Sequence, residues 1–100
     1  MNITIETANG TTTARLEGRL DTPASAEVTP QFEQLKESAN GTIVLDCTDL
    51  SYISSSGLRL FLAVRKAAGA QGGKVIVRNI SDSIRQVFMM TGFLNMFEIQ

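Results

Sequence analysis

Histidine is absent from the sequence, and cysteine occurs once. The first absence removes the commonest general base, the commonest metal ligand and any Ser-His-Asp triad. With a single cysteine as well, a zinc site would have to be built mostly from carboxylates, against the usual donor set. The Gly-x-Ser-x-Gly pattern of an exposed nucleophile is missing too, and nothing sets Lys66 or Lys74 beside a serine as a substitute base. The expectation is therefore a protein that is not an enzyme, with no catalytic residue, no metal and no cofactor. Cys47 has no partner for an intramolecular disulfide. It ends the run Ile43-Val44-Leu45-Asp46-Cys47 with no basic neighbour, and so reads as a small buried hydrophobe rather than a reactive thiol.

Runs of like charge are also lacking. Nine Lys and Arg are scattered against ten Asp and Glu, for a net charge of -1. That balance shows no basic stripe and argues against a nucleic-acid partner. No apolar run approaches the roughly 20 residues that span a bilayer. The start Met1-Asn2-Ile3-Thr4-Ile5-Glu6 has neither the basic residues nor the apolar stretch of a secretory signal. A cytoplasmic protein without a membrane partner is expected. The 43% hydrophobic and 19% charged fractions suit a folded chain, and 100 residues suit one domain, 1–100.

Periodicity orders the elements. Ile3 and Ile5 alternate with polar residues, Asn9-Gly10 signals a two-residue hairpin turn, and Ala14, Leu16, Gly18 and Leu20 share one side of the next run. Thr22-Pro23 reads as a helix cap followed by proline in the first turn. Ala24, Val28, Phe32, Leu35 and Ala39 trace the helical stripe, with a kink or a late start expected at Pro30 and an end at Asn40-Gly41. Thr42 to Cys47 suits a central strand covered on both faces, and Thr48 to Ile53 reads as a loop. A second helix opens at Ser54-Ser55-Ser56-Gly57 and runs to about Ala68. Its apolar residues cover more than half the circumference, so the excess is either covered by a neighbouring helix or exposed as a binding surface. The glycines of 69–73 follow this helix and read as its stop, not as a phosphate cradle. Val75 to Val77 is a further strand, reached by a right-handed parallel crossover. Ser81-Asp82 opens a third helix, and Phe97 to Ile99 is a short edge strand.

The chemically suggestive spot is Ser54-Ser55-Ser56-Gly57. It lies past the carboxyl end of the central strand, where ligand sites gather in α/β sheets, and at the amino end of a helix, where free N–H groups favour an anion. A hydroxyl there can carry phosphate without strain. Capping alone also explains a serine at such a position.

The block Leu45-Asp46-Cys47-Thr48-Asp49-Leu50-Ser51-Tyr52-Ile53-Ser54-Ser55-Ser56-Gly57-Leu58-Arg59 resembles the signature of STAS domains of the anti-sigma factor antagonist family. Gly18-Arg19-Leu20-Asp21 and Thr91-Gly92-Phe93-Leu94-Asn95-Met96-Phe97 resemble two weaker motifs of that family, so the likeness spans essentially the whole chain. The resemblance implies an α/β fold with a mixed sheet of four to five strands and helices packed mainly on one face. It implies partner switching as well. The unmodified domain binds an anti-sigma factor that is also a serine kinase, phosphorylation releases it, and a serine phosphatase resets it. By motif position Ser55 is the phosphoacceptor, and Asp21, Ser54, Ser56, Gly57, Leu58 and Arg59 belong to the partner-binding surface. Ser54 stands where the family has Asp, a departure that leaves Ser54 and Ser56 open as alternative acceptors. The alternative is a constitutive STAS subunit docked in a transporter assembly.

Overall fold

In the computed structural model, which describes all of residues 1–100, the order is β1 (Asn2–Ala8), β2 (Thr11–Leu20), α1 (Thr22–Glu37), β3 (Thr42–Ile53), α2 (Ser55–Gln71), β4 (Lys74–Arg78), α3 (Asp82–Thr91), a 3-10 turn (Phe93–Asn95) and β5 (Glu98–Ile99). The five strands form one sheet in chain order. β1 and β2 are antiparallel, joined by Asn9 and Gly10 at φ 54° and 78°, the left-handed pair that a type I′ turn demands. The remaining neighbours are parallel. No helix is long and apolar enough to cross a membrane.

Register explains the layering. Ile5, Ala14, Leu45 and Val77 stand side by side across four strands and enter one hydrophobic core with Val28 and Phe32 of α1, Phe61 and Val64 of α2, and Ile84 and Phe88 of α3. The row next to it, Thr4, Arg15, Asp46 and Arg78, points to the opposite face because strand side chains alternate. All three helices therefore share one face of the sheet, as the resemblance implies. No helix lies on the opposite face, yet Val44 and Asp46 of β3 are 2% and 8% exposed there, so residues 43–47 are buried on both faces as their apolar run implies.

Several boundaries differ from the sequence reading. Residues 48–53 are strand, not loop. β3 runs on past the end of β4, whose pairing stops at Asp46–Arg78, and pairs there with β2 alone. Bulges between Arg15 and Glu17 and between Gly18 and Arg19 break the alternation, so Leu50 and Ile53 are both buried three residues apart. Asp21, not Thr22, caps α1: its carboxylate accepts from the Ala24 N–H at 2.9 Å. α1 continues through Pro30 and stops at Glu37, before Asn40-Gly41. Proline here is exposed, whereas Phe32 and Leu35 are fully buried on the other side, and that burial outweighs the missing bond. α2 extends to Gln71 and ends on Gly72 at φ 80°.

Candidate functional site

The extension of β3 delivers Ile53 into the core and the next residue to the tip of α2. Ser54 is extended, at φ -89° and ψ 171°, and caps the helix by accepting from the Gly57 N–H at 3.2 Å. It is tied to β2 as well: its N–H donates to the Leu20 carbonyl at 2.9 Å and its hydroxyl donates to the same oxygen at 3.0 Å. One serine thus fixes where the second helix begins relative to the sheet.

Gly57 sets how closely. A Cβ placed there would lie 2.8 Å from two Leu20 side-chain carbons and 2.9 Å from Ile53 Cγ1. Only a bare backbone lets the first turn of α2 sit on those two strand ends. Leu58 is 8% exposed and Gly57 is buried, so in the free domain both seat the helix on the strand ends and offer little surface themselves. Asp21 is half-buried and committed to the α1 cap, next in the chain to the Leu20 that holds Ser54.

Three of the expected residues remain accessible. Ser55, the first residue inside α2, is exposed, and the capping bonds at the tip belong to Ser54, leaving the Ser55 hydroxyl outside that network. Ser56 is half-buried. With Thr22, Ser25, Ala26 and Thr29 of α1 and with Arg59 and Leu60 of its own helix, it lines an open groove of about 320 Å³ between the first turns of the two helices. Arg59 is exposed. The apolar excess on α2 is largely accounted for: Leu60, Leu62, Ala63 and Ala67 are half-buried.

One neighbour escaped the sequence reading. The Arg19 guanidinium stacks over the ring of Tyr52, 4.4 Å from its centre, where the ends of β2 and β3 pair. Its signal is the cross-strand register, which could not be drawn while residues 48–53 were read as loop. Titration adds little chemistry. Burial pushes the Cys47 thiol up to about 12, with the Asp46 charge helping, so it holds its proton, as an inert cysteine should. Burial works against ionised Asp46, but hydrogen bonds from the Thr48 hydroxyl and N–H, with the Arg15 charge, outweigh it and hold the carboxyl below its ordinary 3.8.

A five-stranded sheet covered by helices on one face, with an exposed serine at the tip of a helix, defines a small α/β domain. The family model for the STAS domain matches residues 2–100, and the chain belongs to that family. It is 28% identical over 99 residues to BtrV of Bordetella bronchiseptica, provisionally named an anti-sigma factor antagonist, covering 99% of this chain and 85% of the relative. It is 25% identical over 101 residues to the anti-sigma-B factor antagonist of Staphylococcus aureus, covering 99% and 94%. Among solved structures it is similar to the Bacillus cell fate determinant SpoIIAA in its phosphorylated form, with TM-score 0.75, 27% identity, and 99% and 91% of the two chains covered.

Proposed function

We propose that this domain is an anti-sigma factor antagonist whose hold on its partner is gated by phosphate on Ser55. The observation that carries the reading is the division of labour among adjacent serines. Ser54 is locked as a cap and strut, Ser56 is half-sunk in the groove, and Ser55 alone is both exposed and outside the capping network. The replacement of the family's Asp by Ser54 leaves the cap in place, since serine and aspartate are comparable N-caps. The names of the relatives and the phosphorylated form of a structural neighbour support the same reading.

The partner is an anti-sigma factor with serine kinase activity. It binds the unmodified tip of α2 across Ser55, Ser56 and Arg59, and so frees a sigma factor for transcription. Phosphate on Ser55 adds about -1.5 to -2 charges. The free helix end tolerates them, while an interface that must desolvate them does not. A penalty of about 4 kcal/mol weakens binding roughly 1,000-fold, so no refolding is required. A serine phosphatase restores the binding form. The switching takes place in the cytoplasm.

The test is capture from a lysate of the native cells with ATP and magnesium, followed by peptide mapping of the bait. Wild type should gain one phosphate, on Ser55, and release the anti-sigma factor as it does so, while retaining it when ATP is left out. Ser55→Ala should retain the partner without modification, and Ser55→Asp should bind it at least tenfold more weakly. Equal affinity of wild type and Ser55→Asp, or steady recovery of a transporter with no phosphate on the bait, would overturn the reading.

A further inference from the structure

Ser55 and Arg59 stand four residues apart in α2, and both are exposed. Side chains at that spacing meet on the helix surface, and an acid one turn before a base is the favourable order. Arg59 takes part in none of the ion pairs of the molecule, which join Arg15 to Asp46, Lys36 to Glu33 and Lys74 to Glu98. α2 carries Arg59, Arg65 and Lys66 and not one Asp or Glu. Of the three cations only Arg59 lies near the tip. Arg65 is further along the helix and donates to the Met96 carbonyl. At about 100° per residue, Arg59 falls between the direction of Ser55 and that of Ser56 and Leu60, which wall the groove against α1. Its guanidinium has two places to go: into the groove, or along the helix to position 55.

We propose that a phosphate on Ser55 is held by Arg59, and that this pairing removes from the docking surface the one cation at the tip of α2. The inference rests on Ser55 being the phosphoacceptor. In the unmodified domain Arg59 lines the groove beside Ser56 and is open to a carboxylate of the partner. A phosphate one turn away presents three acceptor oxygens to a forked donor, the pairing that guanidinium groups favour. The other charged groups by the tip are already engaged. The Asp21 carboxylate is bound to the Ala24 N–H, and the Arg19 guanidinium lies on Tyr52. Phosphorylation then weakens the complex in two ways at once, by adding a negative charge and by occupying a positive one. A carboxylate at position 55 has less charge and fewer oxygens, so Ser55→Asp reproduces the second effect only in part.

The test uses the full chain with phosphoserine installed at position 55 by genetic encoding, titrated by phosphorus NMR, beside the same protein carrying Arg59→Gln, Arg59→Met or Arg59→Lys. The phosphate's second ionisation, ordinarily near pH ~6, should fall about 0.5 lower in wild type than in the Gln and Met variants, a roughly threefold preference for the dianion. Arg59→Lys should lie between them. The difference should fade in 1 M salt, where screening acts over about 3 Å. Two neutral variants guard against one that fails to fold. Identical titration of wild type and a folded neutral variant would overturn the pairing and leave the phosphoacceptor reading standing. Failure to find phosphate on Ser55 in cells would remove that reading and leave the pairing intact.

Discussion

Three consecutive serines carry three different burdens, and the difference is measurable. Ser54 accepts from the helix and donates to the strand, so Ser54→Ala loses a cap and a cross-link together. Its unfolding free energy in urea should drop by about 1–2 kcal/mol. Ser55→Ala removes an exposed hydroxyl outside that network and should stay within about 0.5 kcal/mol of wild type. Equal losses at the two positions would mean that the tip is not organised as described. Asp46 makes a second residue-scale prediction. Its folded carboxyl ionises more readily than the unfolded one, despite its burial, because Thr48 and Arg15 favour the charged form. The contribution is therefore fully present above the unfolded value near ~3.9 and is lost as pH falls through the lower folded value. Asp46→Asn should cost about 1–2 kcal/mol at pH 7, with the gap closing below about pH 4. A gap independent of pH would show that the charge plays no part.

Among the elements, α1 sets burial against backbone chemistry. Pro30 lies inside it, where proline removes a hydrogen bond and crowds the preceding turn at a cost of up to about 3 kcal/mol. Phe32 and Leu35 are fully buried within the following five residues and offset that cost. Since Pro30 itself is exposed, Pro30→Ala should stabilise the fold by about 1–2 kcal/mol, less than the full helix penalty because the unfolded chain also gains freedom. No gain in the denaturation midpoint would mean that the helix already bends around the ring at no cost. The stripe of α1 was legible in the sequence because Ala24, Val28, Phe32 and Leu35 all face the core, so a 3.6-residue period reports directly on burial, and Ala39, just past the helix end, is buried too. The second half of β3 was not. Thr48, Asp49, Ser51 and Tyr52 are exposed, and the extra residues that β3 inserts here against β2 destroy the two-residue alternation that marks a strand. The cap of α1 was misplaced by one residue because Asp21 and Thr22 are both good caps and only geometry chooses between them. The position of Ser55 on the helix tip was legible, but its separation from its two neighbours was not. That depends on Leu20, 34 residues from Ser54 in the chain.

At the scale of the whole molecule, the phosphate has little it can move. Phe61, in the middle of α2, stacks with Phe32 of α1 at 6.0 Å between ring centres and meets Phe88 of α3 at 6.2 Å and Phe97 of the tail at 6.4 Å, edge to face. Phe93 closes the set against Phe88 and Phe97, both at 5.6 Å. One helix is thus gripped from three directions below its first two turns, in a core packed too densely to yield gradually. Sliding α2 to accommodate a charge at its tip would disturb all of these contacts, whereas leaving the charge in water at an N-terminus that favours anions disturbs none. The switch should therefore be local. Phosphorylation of Ser55 should shift backbone amide signals at Leu20–Ala24 and Ile53–Leu60 while leaving the ring signals of Phe88 and Phe97, and the hydrogen-exchange protection of Phe61 and Val64, as they were. Movement of those distant rings, or a tenfold loss of protection at Val64, would require a displaced helix and a partner that reads shape rather than charge.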